Sequence, residues 1–178
     1  MRIVAGTARG RRLVAPRGLA TRPTSDKVRG ALFDVLGQFF EGGRVLDLYA
    51  GSGALALEAL SRGCASAVCV ESDRRAADCI RRNAAACGLA DRVEVRSEPV
   101  AAALGRLPAA SFQLAFLDPP WAQGPEEALG ALAPLLAPGG AAAAEHEARR
   151  PPAAEIPGLR LVERRAWGRT GISIYRRE

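Results

Sequence analysis

Short apolar runs alternate with helix-like patterns along most of the chain. The predicted strands are Val45–Leu48, Ala67–Glu71, Arg92–Arg96, Phe112–Leu117 and Ala141–Glu145. The predicted helices between them are Ala54–Arg62, Asp73–Cys87 and Glu126–Leu136. Two further strands, Leu159–Arg165 and Gly171–Arg176, follow one another and predict a C-terminal antiparallel hairpin. The alternation predicts an α/β fold with a mostly parallel, seven-stranded, doubly wound sheet.

The beginning of the chain has a different pattern. Two apolar pieces, Ile3–Ala5 and Leu13–Ala15, are separated by a glycine-containing stretch, which predicts a small β-hairpin. Apolar residues then recur at helical spacing and predict a helix that is capped by Thr24 or Ser25 and runs to Phe40. The length of 178 residues fits one domain. We expect residues 1–24 to be a basic extension and residues 25–178 to be the catalytic core.

Charge is distributed unevenly along the chain. Residues 1–30 carry a net charge of +7 and residues 149–178 carry +5, whereas residues 31–148 carry −6. Basic ends around an acidic body are typical of a protein that holds a polyanion with its ends. An arginine-rich solvated surface would give the same pattern, so charge alone leaves both interpretations open.

Several classes of protein are disfavoured by composition. The sequence has no run of about 18 apolar residues, so no membrane-spanning helix is predicted. The basic start lacks the apolar segment of a secretory signal, so we expect a cytoplasmic protein. The four cysteines show no CxxC spacing and lie far from His146, the single histidine, so we expect no metal site.

A glycine-containing loop follows the first strand of the predicted sheet, with the sequence Asp47-Leu48-Tyr49-Ala50-Gly51-Ser52-Gly53. Glycines let the backbone approach a ligand closely because no Cβ intervenes. Glu71 ends the next strand, where its carboxylate can accept hydrogen bonds from ribose hydroxyls. NAD and S-adenosylmethionine both fit such a site. Asp47 favours the second, because a carboxylate attracts its cationic end and repels a pyrophosphate.

The most specific motif is Asp118-Pro119-Pro120-Trp121, at the end of the fourth predicted strand. An exocyclic base amine is a poor nucleophile because its lone pair is delocalised into the ring. The Asp118 carboxylate and the Pro119 carbonyl can each accept one amino hydrogen and favour a tetrahedral nitrogen. The prolines rigidify the loop, and Trp121 offers an aromatic face on which the target base can stack. The target base must lie outside a helical stack.

The two motifs, in this order, resemble the class I methyltransferases that carry a D/N-PP-Y/W signature. The resemblance to the RsmD family is closer and spans almost the whole chain. It is carried by Arg22-Pro23-Thr24, Asp26-Lys27-Val28-Arg29, Leu32-Phe33, Leu46 to Leu55, Glu58 to Gly63, Phe116 to Pro120, Trp167 to Thr170 and Ile174-Tyr175.

This resemblance implies the cofactor S-adenosylmethionine and a target at N2 of guanine 966 in 16S rRNA, within the small ribosomal subunit or an assembly intermediate. The implied cofactor-binding residues are Arg22, Thr24, Asp47, Tyr49, Ala50, Gly51, Ser52, Gly53, Glu71, Ser72, Ser97, Glu98 and Asp118. Of these, Glu71 is expected to hold the ribose and Glu98 to accept from the adenine amine. The implied catalytic residues are Asp118, Pro119, Pro120 and Trp121. The chain departs from the family in having Trp121 where tyrosine is common and Tyr49 where phenylalanine is common.

Further residues are candidates for RNA contact. Arg9, Arg11 and Arg12 on the predicted N-terminal hairpin, and Arg169 near the chain's end, are expected to contact phosphates. Trp167 is equally consistent with an RNA contact and with a core position, whereas Tyr175 fits the core better. We expect His146 to be a surface or strand-end residue and not a catalytic base.

The residues alone are compatible with three classes of function. The first is RNA base methylation by a monomer. The second is an NAD-dependent oxidoreductase, in which residues 118–121 would have no role, and the third is a non-catalytic RNA-binding assembly factor. Within the first class, a DNA-adenine enzyme would need a segment to read sequence, and a glutamine methyltransferase would be expected to have asparagine at position 118.

Overall fold

A computed structural model describes residues 1–16, 26–120 and 122–178. The α-helices in this part of the chain are α1 (Asp26–Leu36), α2 (Ala54–Ser61), α3 (Arg74–Ala86), α4 (Val100–Leu104) and α5 (Glu126–Leu132). The strands are β1 (Arg44–Leu48), β2 (Ser66–Val70), β3 (Val93–Arg96), β4 (Phe112–Leu117), β5 (Leu136–Glu147), β6 (Glu155–Ile156), β7 (Leu159–Trp167) and β8 (Thr170–Arg177). Short 3₁₀ turns occupy Ala90–Arg92 and Ala133–Leu135.

The strands form one sheet in the order β3-β2-β1-β4-β5-β8-β7-β6. Strands β1 to β4 are parallel to each of their neighbours and β5 is parallel to β4, whereas β8 pairs antiparallel with both β5 and β7. This confirms the predicted α/β fold, the mostly parallel arrangement and the C-terminal hairpin. The seven predicted strands are present, and the two-residue strand β6 extends the sheet to eight.

Apolar side chains cover both faces of the sheet. Helices α1, α2 and α3 bury one face, on which Val45 of β1 and Phe116 of β4 lie. Helices α4 and α5 bury the other face, on which Leu46 and Leu48 lie. Neighbouring residues of a strand point to opposite faces, so a parallel strand with helices on both sides needs a continuous apolar run.

Several element boundaries differ from the predicted ones. Helix α1 ends at Leu36 instead of Phe40, because Gly37 adopts a left-handed φ of +121° and the Phe40 amide bonds to the Arg62 carbonyl at 2.9 Å. The third predicted helix ends at Leu132, ahead of Pro134, which lacks an amide hydrogen. Strand β5 is consequently longer than predicted and begins at Leu136. The suggested caps of α1, Thr24 and Ser25, lie outside the described residues.

The predicted N-terminal hairpin exists but is minimal. Arg2 and Arg12 form an isolated antiparallel bridge, and the Ile3 amide donates to the Arg11 carbonyl at 3.0 Å. The amides of Val4 and Ala5 do not extend this ladder, because they donate to the carboxylate of Glu58 at 2.8 and 3.0 Å. The hairpin is therefore fastened to the core by a side chain of α2.

Glu58 belongs to a buried group of charges, which we call the Glu58 cluster and which consists of Arg29, Glu58 and Arg62. The Glu58 side chain is fully buried and accepts from Arg29 Nε at 3.4 Å and from Arg62 Nε at 2.7 Å. The Arg62 guanidinium also lies over the Phe33 ring, 4.6 Å from its centroid. A carboxylate that is removed from water in this way depends on such partners.

Candidate functional site

The predicted site residues follow strands that end side by side. The strand register pairs Leu48 of β1 with Val70 of β2 and with Leu117 of β4. Val70 in turn pairs with Arg96 of β3. The residues that come next in the chain are Tyr49, Glu71, Ser97 and Asp118, so all four lie at one end of the sheet, which we call the carboxyl end. Ligands of doubly wound sheets bind at this end.

The loop after β1 has a strained and closely packed backbone. Tyr49 adopts a left-handed φ of +63°, which is unfavourable for a residue with a side chain. The Ala50 amide donates to the Val70 carbonyl at 3.0 Å, and the Gly53 amide donates to the Ala50 carbonyl at 2.7 Å. The loop is thus folded back against β2, and its strained conformation is maintained by these bonds.

The two glycines of this loop have different surroundings. A Cβ added at Gly51 would have no atom closer than 3.9 Å, so open space lies beside its backbone. A Cβ at Gly53 would come within 3.0 Å of Ile80 Cγ2, so the missing side chain of Gly53 allows close packing against α3. Of the two positions, Gly51 therefore leaves room for a ligand.

Glu71 connects the loops that follow β1 and β2. Its Oε2 accepts from the Gly51 amide at 2.8 Å, and its Oε1 accepts from the Asp73 amide at 2.9 Å. Asp73 in turn caps α3 by accepting from the Ala76 amide at 2.9 Å. The half-buried carboxylate of Glu71 therefore lies beside the open space at Gly51. This arrangement fits a nucleoside cofactor, whose ribose hydroxyls need acceptors. The neighbouring Ser72 is exposed.

Asp47 lies beneath this loop. Its side chain is almost fully buried, and its Oδ2 accepts from the Ala56 amide at 3.1 Å, in the first turn of α2. Burial raises the pKa of Asp47 to about 7, and the charge of Glu71 adds to the rise, whereas the bond from Ala56 opposes it. Asp47 positions the start of α2, and its attraction for the cationic end of a cofactor stays a prediction.

The loop after β3 is more open. Ser97 is exposed, and the partly buried Glu98 forms an ion pair with Arg106. The Arg96 carbonyl accepts from the Glu71 amide at 3.0 Å, which brings this loop next to the ribose-binding candidate. If Glu98 contacts the adenine as predicted, its carboxylate has to bind both the adenine amine and Arg106.

The acceptor loop, residues 118–124, follows β4. Asp118 is half-buried, Pro119 is buried and Pro120 is exposed. The Pro120 carbonyl accepts from the amides of Gln123 and Gly124 at 2.8 and 3.3 Å, which closes a tight turn. The predicted stacking residue Trp121 lies outside the described residues, as do the predicted cofactor contacts Arg22 and Thr24.

A side-chain bond connects this acceptor loop to the loop after β1. Gln123 Nε2 donates to the hydroxyl of Tyr49 at 3.0 Å. Burial raises the pKa of Tyr49, and the nearby charge of Glu127 adds to this, so the hydroxyl stays protonated at neutral pH. The hydroxyl that distinguishes Tyr49 from the more common phenylalanine therefore has a partner in the loop that carries Asp118.

Sequence reasoning missed Gln123 and also Asn83. The Asn83 side chain is buried, and its Nδ2 donates at 2.9 Å to the carbonyls of both Ser52 and Val14. It thereby fastens the loop after β1 to the N-terminal segment. An asparagine inside a helix is unfavourable for local reasons, which is the available signal for such a role. Gln123 has no comparable sequence signal.

The candidate RNA-contacting arginines have accessible side chains. Arg9, Arg11 and Arg12 are exposed on the N-terminal hairpin, and Arg169 is exposed at the turn between β7 and β8. Trp167 is partly buried and packs against the core. Tyr175 is fully buried, and its hydroxyl donates to the Ala153 carbonyl at 2.6 Å.

His146 lies near the end of β5 but is buried and not on the surface. Its Nε2 is 2.9 Å from the hydroxyl of Ser173, and burial lowers its pKa. Gly171 is required opposite it, because a Cβ there would lie 2.3 Å from His146 Cε1. These contacts support a packing role at the strand end.

The part of the chain that the structure describes has neither a membrane-spanning helix nor a cluster of metal-binding side chains. No helix in residues 1–16, 26–120 and 122–178 is long and apolar enough to cross a membrane. Within the same ranges, no group of three or more His, Cys, Asp or Glu side chains could hold a metal ion. The four cysteines are free and buried.

Known proteins resemble this chain along its length. A family described as "Conserved hypothetical protein 95" matches residues 1–176. "Putative rRNA methyltransferase YlbH" of Bacillus subtilis is 35% identical over 182 residues, which cover 99% of each chain. "Ribosomal RNA small subunit methyltransferase D" of Escherichia coli is 36% identical over 124 residues, which cover 70% of this chain and 62% of that protein.

Solved structures give the same picture. The Escherichia coli protein described as "Putative methyltransferase yhhF" superposes with a TM-score of 0.84 at 32% identity and covers 100% of this chain and 98% of its own. The Thermus thermophilus protein TTHA0928 superposes with a TM-score of 0.81 at 33% identity, with 98% of each chain covered. The sheet with its antiparallel end strands is therefore the Rossmann-like class I fold, and this chain belongs to the RsmD family.

Proposed function

We propose that this protein transfers a methyl group from S-adenosylmethionine to the exocyclic N2 of guanine 966 in 16S rRNA. The observation that carries the proposal is the convergence of the loop after β1, Glu71 and Asp118 at the carboxyl end of the sheet. The names of the relatives support the reaction class, since the Escherichia coli protein is a ribosomal RNA small subunit methyltransferase. Family membership also favours methyl transfer over the NAD-dependent oxidoreductase.

The cofactor would be held by groups that the structure already orders. Glu71 would exchange its bond to the Gly51 amide for bonds from the ribose hydroxyls. The open space at Gly51 admits the ligand close to the backbone, and a cationic cofactor above Asp47 would favour the ionised form of this carboxyl group. When bound, S-adenosylmethionine supplies an activated methyl group, so no metal is required for the chemistry.

The acceptor loop would prepare the guanine. The Asp118 carboxylate accepts one hydrogen of the amine and the Pro119 carbonyl accepts the other, which directs the nitrogen lone pair away from the ring. The nitrogen must lose a proton after it gains the methyl group, and Asp118 is the carboxylate that is placed to receive it. The turn closed on the Pro120 carbonyl keeps these acceptors in a fixed geometry, which is the main source of acceleration in such a reaction.

The substrate would be the small ribosomal subunit or an assembly intermediate. The acidic body carries the proposed chemistry, and the exposed arginines of the N-terminal hairpin and of the β7–β8 turn supply charge for phosphates. The strands that the structure describes outside the N-terminal hairpin all belong to one sheet, so within residues 1–16, 26–120 and 122–178 there is no separate module for reading a nucleotide sequence. A preassembled particle that presents one unstacked guanine would supply this selectivity.

The test is transfer of labelled methyl groups from S-adenosylmethionine to small subunits from cells that lack this gene. Nucleoside digestion should place the label in N2-methylguanosine, and mapping should place it at guanine 966. Subunits from cells that retain the gene are the matched control and should accept little label, because their site is already methylated.

Other outcomes would change the proposal. Label in methyladenosine or in ribosomal protein would overturn the guanine assignment and keep the reaction class. Subunit binding without any transfer would favour the non-catalytic assembly factor. Equal rates on naked 16S rRNA and on subunits would contradict the proposed need for an assembled particle.

A further inference from the structure

A polar cleft of about 320 Å³ lies at the carboxyl end of the sheet, beside the proposed active site. It is lined by Glu147, Ala148, Arg149, Gly168 and Arg169. From its geometry and charge, we infer that this cleft binds one ribose–phosphate unit of the substrate RNA, a few nucleotides from the target guanine. The inference rests on the proposed function and adds a subsite to it.

The cleft is close to the acceptor loop. Leu117, the last residue of β4, pairs with Ala144 of β5, and β5 continues to Glu147. At about 4.8 Å between strands and about 3.3 Å per residue, Glu147 lies roughly 11 Å from the end of β4. A strand of RNA with its target base at Asp118 can reach this distance within a few nucleotides.

The cleft is formed by two ordered turns. One turn follows β5 and is closed by a bond from the Arg150 amide to the Glu147 carbonyl at 2.9 Å. The other is the two-residue connection between β7 and β8, where Gly168 has a left-handed φ of +61°. The Ala148 amide donates to the Arg169 carbonyl at 2.9 Å and joins the two turns. Both walls are therefore held in place before a ligand arrives.

The strands beneath the cleft are also tightly packed. The ring of His146 fills the space opposite Gly171, and its Nε2 lies 2.9 Å from the Ser173 hydroxyl. Arg164 Nε donates to the same hydroxyl at 2.9 Å. This packing fixes the backbone from which both turns emerge, so the backbone of the cleft is ordered before a ligand binds.

The side chains of the cleft suit RNA in particular. Arg149 and Arg169 are exposed, and guanidinium groups recognise phosphate oxygens through paired hydrogen bonds. Glu147 adds a carboxylate, which would repel a phosphate alone but can accept a hydrogen bond from a ribose 2′-hydroxyl. A cleft with two cations and one acceptor thus matches a phosphate together with its 2′-hydroxyl, the group that distinguishes RNA from DNA.

The test compares Arg149→Ala with Arg160→Ala in binding to small subunits from cells that lack the gene. Arg160 is exposed and is the second residue of β7, at the opposite end of the sheet, so its loss changes the charge equally without touching the cleft. We expect Arg149→Ala to bind more weakly. The slope of log affinity against log salt is negative, and its magnitude should fall by about one unit. The loss should therefore be about fourfold larger at 50 mM than at 200 mM salt. Arg160→Ala should keep the wild-type slope.

A second comparison addresses the carboxylate. Glu147→Ala removes the acceptor and should reduce the preference of the wild-type protein for a 16S rRNA fragment over the same sequence with 2′-deoxyribose at the nucleotides that flank the target. Equal slopes for Arg149→Ala and Arg160→Ala would overturn the subsite. Because the readout is binding, a subsite confirmed in this way would stand even if the wild-type protein failed to methylate guanine.

Discussion

The Glu58 cluster and the carboxyl end of the sheet both contain several charged groups. The two regions differ in where the hydrogen-bond partners of these groups lie. In the cluster, the two oxygens of Glu58 accept from two arginines and from the amides of Val4 and Ala5, all within the protein. At the carboxyl end, Glu71 lies beside the open space at Gly51, and Tyr49 keeps an unfavourable φ. The Glu58 carboxylate has its partners within the protein, although Arg29 Nη1 is buried without a hydrogen-bond partner, whereas the carboxyl end leaves room for a ligand.

The difference separates stability from activity. Removal of one member of a buried charge cluster leaves the other charges uncompensated in the core and should destabilise the whole chain. Groups placed around an open space contribute little to folding and act on what enters that space. Substitutions in the two regions should therefore have opposite profiles, with one losing stability and the other losing turnover.

The largest effect is expected at Asp118. Asp118→Ala should lower kcat for methyl transfer about 10²- to 10⁴-fold, because the amine loses its carboxylate acceptor. Most of the cofactor affinity should remain, because Glu71 and the loop after β1 are unchanged, and the denaturation midpoint should change little. Single-turnover assays, together with calorimetric titration of S-adenosylmethionine, separate these quantities. Asp78→Ala, on the exposed surface of α3, is the control. A near-wild-type kcat in Asp118→Ala would remove the proposed role.

The Glu58 cluster should respond in the opposite way. Glu58→Gln leaves Arg29 and Arg62 without a counter-charge in the core and should lower the free energy of unfolding by about 3–5 kcal/mol. Glu94→Gln is a matched control, since Glu94 also pairs with two arginines, Arg44 and Arg96, but is 46% exposed. Glu94→Gln should lower the free energy of unfolding by less than about 1 kcal/mol. Similar urea midpoints for the two variants would contradict the distinction between buried and exposed clusters.

Asp47 tests the region between these extremes, because it is buried but lies beneath the ligand loop. The ordinary pKa of an aspartate side chain is 3.8, and burial is the main cause that raises the pKa of Asp47 to about 7 in the folded protein. The folded state thus holds this proton more tightly than the unfolded state. The resulting stability is fully present below pH 4 and is lost as the pH rises through 7.

Asp47→Asn removes this titration and keeps an oxygen that can accept from the Ala56 amide. Between pH 4 and pH 7, the free energy of unfolding of the wild-type protein should fall relative to that of the variant. The expected upper limit of this fall is on the order of 4 kcal/mol. Urea unfolding of both proteins across this pH range measures the difference. Parallel pH profiles would mean that Asp47 does not titrate in this window.

The smallest effect is expected for the bond between Tyr49 and Gln123. Tyr49→Phe and Gln123→Ala should each lower kcat/KM about two- to fivefold, since one partly exposed hydrogen bond contributes about 0.5–1 kcal/mol. If the bond holds the acceptor loop against the loop after β1, the double variant should lose no more than either single variant. Fully additive losses in this double-mutant cycle would contradict such coupling.

Local sequence determined the main features of the fold. The apolar run Ala67–Val70 is continuous because both of its faces are buried, so such segments could be predicted as strands of a parallel sheet. The motifs around Gly51 and Asp118 follow strands directly, which placed them at the correct end of the sheet. Boundaries were less predictable, since the end of α1 depends on a bond from the Phe40 amide to Arg62, which is distant in sequence.

Tertiary structure alone decided which side chains meet. Glu58 looks like a surface residue in the apolar helix Ala54–Ser61, but its carboxylate receives amides that are more than 50 residues away. Gln123 and Asn83 join loops for the same reason, and Arg149 faces Arg169 only because β5 pairs with β8. Periodicity and turn chemistry act between near neighbours and can be read from the chain. Partnerships between distant polar groups arise only when packing brings their backbones together, because burial then requires each group to find a partner.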